Sequence, residues 1–369
     1  MKILIVFREN QDTDNLFVPV LWKALKNQGV DIFCSVDNFW ESNDLYDIIH
    51  FQWPEEVVGW NCNDIVKVEL LKERIDFFRN KGTKFIYTRH NNCPHYSNNF
   101  ALIKAYEIIE KESDLIIHMG KYSKDEFSKK YPEKKNKIIL HHIYENTYNE
   151  NITREEARKI LNIPIDKFVI TSFGKFRNKE EIKLVYQAYK KLKLNNKFLV
   201  APRLFPFSKH PKHSNILKRF ISLMAYYIAI PILNRYYHMK SGGNEDIVPN
   251  DNLPIYIIAS DIIFIQRIHI LNSGNIPLAF LFKKIPVGPK CGNVGEWLKA
   301  TGNPTFDVRN IQDVTDALNQ GIELSKVGQG YKNYLYALRY CNIARISKLY
   351  LDAYKELLTT NKTPSDQRY

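Results

Sequence analysis

The chain has 369 residues, of which 44% are hydrophobic and 25% charged, a composition typical of a globular protein with room for two domains. It excludes the disordered and fibrous classes. The net charge of +13 predicts an anionic partner and leaves open nucleic acid, anionic lipid, phosphorylated small molecules, or a basic surface without a specific partner. The five cysteines are odd in number and form no CxxC pair, so we expect a reducing cytoplasm and no disulfide framework or zinc site.

Apolar runs near the N-terminus and in the middle of the chain decide whether a membrane segment is expected. The run 3–7 meets charged residues at once and predicts a buried first strand rather than a signal peptide. The apolar run 220–233 has 14 residues and includes Pro231, which is short of the roughly 20 residues that a membrane-spanning helix needs. We therefore expect no spanning helix.

In the first half, short apolar runs alternate with stretches of 3.6-residue periodicity. The predicted strands are 3–7, 30–36, 47–52, 84–88, 115–118 and 137–140. The predicted helices include 18–27, 65–78 and 102–109. This alternation predicts a parallel sheet with helices on both faces.

A second series of the same kind follows a polar helical stretch and Pro164, which puts a domain boundary near 165. Its predicted strands are 168–173, 197–201, 261–265 and 285–287, and its helices 180–193, 252–258, 274–283 and 310–325. A long helical pattern, 330–358, comes last. We predict two doubly wound, Rossmann-like domains, 1–165 and 166–340, facing a central cleft. The helix 341–360 is expected to pack back on the first domain, and the tail 361–369 to be disordered.

Open parallel sheets bind ligands outside the carboxyl ends of their strands, so the loops there are where chemistry is expected. The loop 88–95, after the fourth strand, holds two imidazoles, a guanidinium and two amides. A histidine at such a place can move a proton or bond a phosphate or sugar hydroxyl near neutral pH. The candidates in these loops of the first half are Trp53, His90, Asn91, His95 and His118. Ordinary polar turns with structural histidines, and a core position for Trp53, are the alternatives.

The second domain opens with a glycine and three cations at the start of a helix. Gly174 permits close backbone approach, and Lys175, Arg177 and Lys179 follow within five residues. Cations at a helix N-terminus suit a diphosphate. The pattern is not a Walker loop, because GxxxxGK[ST] is absent. The alternative is a solvated basic turn.

Two further segments of the second domain carry candidates. Asn272-Ser273-Gly274-Asn275 opens a helix, so these residues either cap it or offer free N–H groups to a phosphate. The loop 288–296 ends at Glu296, which either accepts from sugar or ribose hydroxyls or only begins a helix. Adjacent His141 and His142 point to opposite sides of an extended chain and make a poor metal pair, so we predict no metal site.

The insert 203–240 differs from the rest of the chain. It holds seven Lys or Arg, no Asp or Glu, and seven aromatic residues. A basic, aromatic, partly amphipathic segment suits the headgroup boundary of an anionic membrane. The alternative is a helical hairpin buried within the second domain.

Taken together and in order, these pieces resemble a group of bacterial GT-B glycosyltransferases, related to the large family 4, that act in capsule and exopolysaccharide assembly. The resemblance covers nearly the whole chain. The matching pieces are Arg8-Glu9-Asn10, 47–54, 88–91 with Pro94-His95, His118 with 121–123, 142–144, 173–177, 259–261, 271–274 and Gly295-Glu296.

The resemblance implies metal-free transfer of a sugar from a nucleotide-diphosphate sugar to a lipid-linked oligosaccharide, with no cofactor. The first domain would bind the acceptor and the second the donor. The implied diphosphate site comprises Gly174, Lys175, Arg177, Lys179, Asn272, Ser273 and Gly274, and the donor sugar or ribose site comprises Glu296 and Asn275. The implied catalytic residues are His90 and Glu9, and the acceptor side comprises Arg8, Asn10, Trp53, Asn91, His95 and His118.

The chain departs from the family pattern at two places. Leu271 and Ala279 stand where the family has two glutamates eight positions apart, and Lys-Gly is missing after Arg177, where Lys179 is expected to substitute. The missing glutamates leave open a non-catalytic nucleotide-sugar-binding protein on the same fold. A phosphorylase and a nucleic-acid-binding protein are less favoured alternatives, and we expect no nucleic-acid partner. The expected location is cytoplasmic, on the inner face of the cytoplasmic membrane.

Overall fold

The computed structural model describes residues 1–8, 15–94, 99–211, 215–243 and 245–359. It divides into unit 1, which contains Met1–His142 and the chain from Tyr340 onward, and unit 2, Ile143–Arg339. The division therefore falls before the boundary predicted near 165. The reason is Arg158, which is fully buried in unit 2, donates to the carbonyl of Ala259 at 3.0 Å and pairs with Asp261 at 2.8 Å.

Within the described residues, unit 1 is built on a sheet of six parallel strands. They are β1 (Lys2–Val6), β2 (Asp31–Cys34), β3 (Ile48–Phe51), β4 (Lys84–Arg89), β5 (Leu115–His118) and β6 (Lys135–Ile138). The helices are α1 (Phe17–Asn27), α2 (Val36–Glu41), α3 (Pro54–Val58), α4 (Ile65–Arg79), α5 (Phe100–Glu112) and α6 (Lys121–Lys130). The strand order is β2-β1-β3-β4-β5-β6, so the predicted parallel sheet is confirmed.

Alternate residues of the central strands are buried on both faces of this sheet. Ile3 and Ile5 of β1 pack in one core together with α1, whereas Leu4 and Val6 pack in the other with α4 and α5. A strand that is covered on both faces reads as a continuous apolar run, which is why β1 was recognisable in the sequence.

The described residues of unit 2 also form six parallel strands. They are β7 (Phe168–Thr171), β8 (Lys197–Phe205), β9 (Met239–Gly243), β10 (Ile262–Phe264), β11 (Ile285–Pro289) and β12 (Thr305–Phe306). The strand order is β12-β11-β10-β7-β8-β9. All strands stay parallel, but the side of the sheet to which successive strands are added changes between β7 and β10. The sequence analysis missed β9, which reads MKSGG, and β12, which has two residues, because neither has an apolar run.

Several helices of unit 2 begin at short polar side chains that cap them. They are α7 (Arg154–Ile160), α8 (Lys179–Lys191), α9 (Ile216–Met224), α10 (Ile230–Tyr236), α11 (Leu253–Ala259), α12 (Asn275–Leu281), α13 (Gly292–Ala300), α14 (Ile311–Lys326) and α15 (Gln329–Tyr340). Thr153 and Glu156 form a capping box at α7, and Asn178 and Asn310 cap α8 and α14. The predicted helices of this half all exist.

The long helical pattern 330–358 is two helices rather than one, α15 and α16 (Ile343–Thr359). The break has a local cause, because Asn342 accepts the backbone N–H of Arg345 at 2.8 Å and so starts a new helix. The helix α16 packs on α1 in unit 1, and Ile346, Tyr350 and Tyr354 are buried there.

The insert 203–240 contains a longer helix than the sequence analysis expected. Its residues Ile216–Tyr236 form a helix of 21 residues, which we call the insert helix and which joins α9 and α10 through a π-helical turn, Ala225–Ala229. By length and composition it is long and apolar enough to cross a membrane, because the helix runs on through Pro231 instead of ending there. It is also not a buried hairpin, since most of its side chains are exposed.

Candidate functional site

The switch point of the unit 2 sheet, between β7 and β10, brings together residues from two loops. Ser172 follows β7 and donates its hydroxyl to Oε1 of Gln266, which follows β10, at 3.0 Å. Gly174 has φ +99°, a conformation that favours glycine, and a Cβ there would lie 3.9 Å from the guanidinium of Arg267. In sheets of this type the switch point is where ligands bind.

Arg267 is held in place at the switch point by a buried carboxylate. Its Nη1 donates to Glu181 Oε2 at 2.8 Å, and the same oxygen accepts the backbone N–H of Arg177 at 2.8 Å. The side chain of Arg267 is 14% exposed. A guanidinium is always charged and offers a planar fork of N–H donors, so this arrangement presents a fixed cation beside Gly174.

The side-chain amide of Gln266 adds a hydrogen-bond donor at the same place. The residue is 1% exposed, and its Nε2 has no hydrogen-bond partner among the described residues. An unsatisfied buried donor costs about 1–3 kcal/mol. Such a group at a switch point marks a place where a ligand can supply the missing acceptor.

The three predicted cations lie on the exposed side of this loop. Lys175, Arg177 and Lys179 are all exposed, and Lys179 is the first residue of α8. The N-cap of that helix, Asn178, accepts the backbone N–H of Glu181 at 2.9 Å. The structure thus brings Gly174 next to Arg267, a residue that the sequence analysis did not name.

The second predicted segment of unit 2 packs on the start of α13. Asn272 Oδ1 accepts from Nδ2 of Asn293 at 2.8 Å, and Asn293 also donates its backbone N–H to Leu271 at 2.9 Å. Gly292 has φ +59°, and a Cβ there would come within 2.3 Å of the Ile270 carbonyl oxygen, so only glycine permits this contact. Asn293 is a further residue that the sequence analysis missed.

The remaining predicted residues of this segment lie around the start of α12 and along α13. Ser273 Oγ accepts the backbone N–H of Asn275 at 3.3 Å. A Cβ on Gly274 would lie 3.7 Å from the hydroxyl of Tyr144. These residues are half-buried, whereas Glu296 is exposed on α13.

In unit 1, His90 lies directly after β4 and is enclosed by aromatic rings. Its imidazole stacks on Trp53, with centroids 3.7 Å apart and planes inclined by 17°, and meets the edge of Phe17 at 4.9 Å. It is 6% exposed. Both packing contacts and one hydrogen bond therefore fix the orientation of this ring at the carboxyl edge of the sheet.

That hydrogen bond begins a chain that fixes the ring protons. His90 Nε2 donates to Gln52 Oε1 at 2.8 Å, and Gln52 Nε2 donates to His50 Nε2 at 3.0 Å. Thr88 donates to the same nitrogen of His50 at 2.8 Å, so the proton of His50 is on Nδ1, which donates to the hydroxyl of Tyr354 at 2.8 Å. Burial lowers the pKa of His50 to about 3 and keeps it neutral.

The other predicted residues of unit 1 are less completely described. The exposed Arg8 donates its backbone N–H to Glu56 at 3.1 Å, and Glu56 also accepts from the indole of Trp60 at 2.6 Å. Asn91 is half-buried, and its Nδ2 is buried with no partner in the described ranges. Three predicted residues lie outside the described residues: Glu9, Asn10 and His95.

His118, which was predicted on the acceptor side, lies in the interior of unit 1. It is fully buried, its Nδ1 accepts from Ser123 at 2.8 Å, and its Nε2 donates to Asn136 at 2.7 Å. Burial, opposed by the bond to Asn136, lowers its pKa to about 4. The part of the chain that the structure describes has no group of three His, Cys, Asp or Glu side chains placed to hold a metal ion.

These buried histidines predict that unit 1 loses stability in acid. The pKa is about 3 for His50 and His141 and about 4 for His118, mainly through burial. The unfolded chain has histidine pKa values of about 6.5. Below that pH it therefore binds protons that the folded unit does not bind. The stability they give is complete above pH 6.5 and falls as the pH drops toward 4, by up to about 4 kcal/mol per pH unit for three groups.

Urea unfolding at a series of pH values measures this slope. We expect His118→Gln, which keeps a donor and an acceptor, to reduce the slope by the contribution of one proton. The matched control is His210→Gln, since His210 is exposed. An unchanged slope in His118→Gln would contradict the assignment.

No protein-family model matches the chain, and no curated protein matches its sequence. Solved structures do match. Sucrose-phosphate synthase from Thermosynechococcus elongatus has a TM-score of 0.69 at 11% identity, covering 98% of this chain and 100% of that one. Anabaena HepE in complex with UDP-glucose has a TM-score of 0.67 at 14% identity, covering 96% of this chain and 100% of that one.

A glycosyltransferase from Rickettsia africae ESF-5 matches with a TM-score of 0.58 at 16% identity, covering 97% of this chain and 85% of that one. At identities of 11–16% the similarity is evidence for the fold alone. It extends over nearly the whole chain, with both α/β units included. The predicted fold is confirmed, and the chain has the GT-B architecture of these glycosyltransferases.

Proposed function

We propose that the protein is a glycosyltransferase that moves a sugar from a UDP-sugar to an acceptor. The observation that carries the proposal is Arg267, held by Glu181 beside Gly174 at the switch point of unit 2. The diphosphate leaving group gains negative charge as the bond to the sugar breaks. A guanidinium that is already in position stabilises that charge without moving a proton.

The donor would be held by unit 2. Gly174 lets the backbone approach the diphosphate, Arg267 neutralises it, and the unsatisfied amide of Gln266 donates to it. The segment 272–274 would contribute backbone N–H groups, and Asn275 and Glu296 would contact ribose or sugar hydroxyls. A uridine nucleotide is supported by HepE, whose solved structures contain UDP and UDP-glucose.

The acceptor would be held by unit 1, with His90 nearest to the reacting sugar. Because Nε2 of His90 donates to Gln52, the lone pair of the neutral ring is on Nδ1. That nitrogen is the one that can accept a proton or a hydroxyl hydrogen bond. Glu9, Asn10 and His95 remain predicted contributors to this side.

The narrower parts of the proposal rest on the order of the motifs and on the basic insert. We propose hexosyl transfer that needs no metal ion, a lipid-linked oligosaccharide acceptor, and a role in capsular or exopolysaccharide synthesis. The reaction would take place on the inner face of an anionic cytoplasmic membrane. The seven Lys or Arg residues of 203–240 support the membrane contact.

Thermal unfolding with UDP, GDP, CMP or ADP in large excess, and with EDTA present, tests the donor site. At about 100 times its dissociation constant a ligand adds roughly 2.7 kcal/mol, so we expect UDP to raise the midpoint by several degrees. We expect the shift to survive EDTA and to be lost in Arg267→Gln. The absence of a shift with every nucleotide would contradict the proposal.

A second assay separates an enzyme from a nucleotide-sugar-binding protein on the same fold. Release of UDP from UDP-sugars, followed with membrane extracts as a source of acceptor, requires catalysis. Binding of UDP without any release from the donors tried would favour the binding protein.

A further inference from the structure

Three polar side chains of the insert helix face the protein. Ser222 Oγ accepts the backbone N–H of Ser208 at 3.1 Å, and Tyr226 donates its hydroxyl to Asp246 at 2.9 Å. Asn234 bonds the backbone of Ser241 through both its oxygen and its nitrogen, at 3.0 and 2.9 Å. These three positions fasten the helix to unit 2 along about three turns.

The opposite side of the insert helix is apolar and exposed. The exposed fraction of nine of its large apolar side chains runs from 42% at Met224 to 80% at Ile216. They are Ile216, Leu217, Phe220, Ile221, Met224, Tyr227, Ile228, Ile232 and Tyr236. An ordinary surface helix buries its apolar stripe and exposes its polar one, so this helix has the reverse orientation, and a continuous apolar face of this kind marks an interaction surface.

All the charged residues of the insert helix are basic. Lys218 and Arg219 lie near its start and Arg235 near its end, and all three are exposed. Two carboxylates have described contacts beside the helix: Asp246 accepts from Tyr226, and Glu245 accepts from Ser208. The exposed face is therefore apolar along its length and basic at its ends.

We propose that the insert helix is a membrane-docking surface that lies in the headgroup region of an anionic bilayer. Its apolar side chains would enter the acyl boundary while its basic ends contact lipid phosphates. At about 31 Å the helix is long enough to span, but a helix fastened lengthwise to unit 2 lies on a membrane rather than crossing it. A second copy of the chain would bring like charges together, whereas anionic lipid complements them.

This inference rests on the membrane contact in the proposed function and names the face that makes it, and its test involves neither donor nor acceptor. The assay is flotation of the full chain with vesicles of phosphatidylcholine alone or with about 30 mol% phosphatidylglycerol. The test variant is Ile221→Glu with Ile228→Glu. The matched control is Ile160→Glu, because Ile160 on α7 is 57% exposed and lies outside the insert.

We expect binding to the anionic vesicles, weak binding to phosphatidylcholine, and a loss of about tenfold or more in the partition coefficient of the double variant. The control should bind like the wild type. Tyr227→Trp should show a blue-shifted emission with anionic vesicles, which reports entry of the face into the bilayer.

Three results would overturn the inference. One is equal binding of the wild type and the double variant, and another is no binding to anionic vesicles. The third is a wild-type dimer, found by light scattering, that the double variant converts to a monomer without any effect of lipid, since the apolar face would then be covered by a second copy. Failure here leaves the nucleotide assays unaffected, so the two proposals are tested separately.

Discussion

Arg267→Gln is expected to lower kcat/KM for the nucleotide-sugar donor by about a thousandfold. The substitution removes the fixed positive charge at the switch point and retains an amide N–H donor, while the buried Glu181 loses its ion pair. The loss should include both weaker UDP binding and a lower kcat, because the charge matters most when the diphosphate departs. Initial rates with a UDP-sugar, together with calorimetric titration of UDP, measure the two parts.

The matched control for Arg267 is Arg309→Gln. Arg309 is also in unit 2 and pairs with an aspartate, but its side chain is 86% exposed. It should keep wild-type kinetics. Arg177→Ala, at the exposed cation that the sequence singled out, is expected to lose less than Arg267→Gln. Wild-type rates in Arg267→Gln would mean that the diphosphate does not bind at the switch point.

His90→Ala is expected to lower transfer by about 10²- to 10⁴-fold and to leave the UDP-induced thermal shift unchanged, because UDP is assigned to unit 2. Removal of the ring also removes its stacking on Trp53, so circular dichroism must show that unit 1 remains folded. The matched control is His210→Ala, at an exposed histidine. Full transfer activity in His90→Ala would remove His90 from the reaction.

Gln52→Glu separates a chemical role of His90 from a structural one. A carboxylate in place of the amide would still accept from His90, and its charge would raise the pKa of that imidazole. The acidic limb of the pH–rate profile should then move to higher pH. If His90 only packs against Trp53, the profile should stay where it is in the wild type.

The sequence predicted the parts of the fold whose signal is local. β1 and β7 are apolar runs covered on both faces, and α1 and α4 have the period of a helix. β9 was not predictable, because MKSGG becomes a strand only by pairing with β8. The insert helix was underestimated for a related reason, since an apolar helix looks too short when only the run between its charged residues is counted.

The site shows the same limit at the level of single residues. His90 directly follows β4 and His118 is the last residue of β5, so the two look alike in the sequence. Asn136, from the neighbouring strand β6, bonds His118 and makes it structural. Gly174 carries a local signal, whereas Arg267 stands in an ordinary stretch, Gln266-Arg267-Ile268, and gains its place only because β10 lies next to β7 in the sheet.

The return of α16 to unit 1 has a consequence for the order of events during synthesis. Multidomain chains commonly fold from the N-terminus as they leave the ribosome, but here the core around β1 needs Tyr350 and Tyr354, and His50 needs the hydroxyl of Tyr354. Unit 2 is complete about 20 residues earlier in the chain. We therefore expect unit 2 to complete its core before unit 1, whose core lacks Tyr350 and Tyr354 until residues 343–359 have been translated.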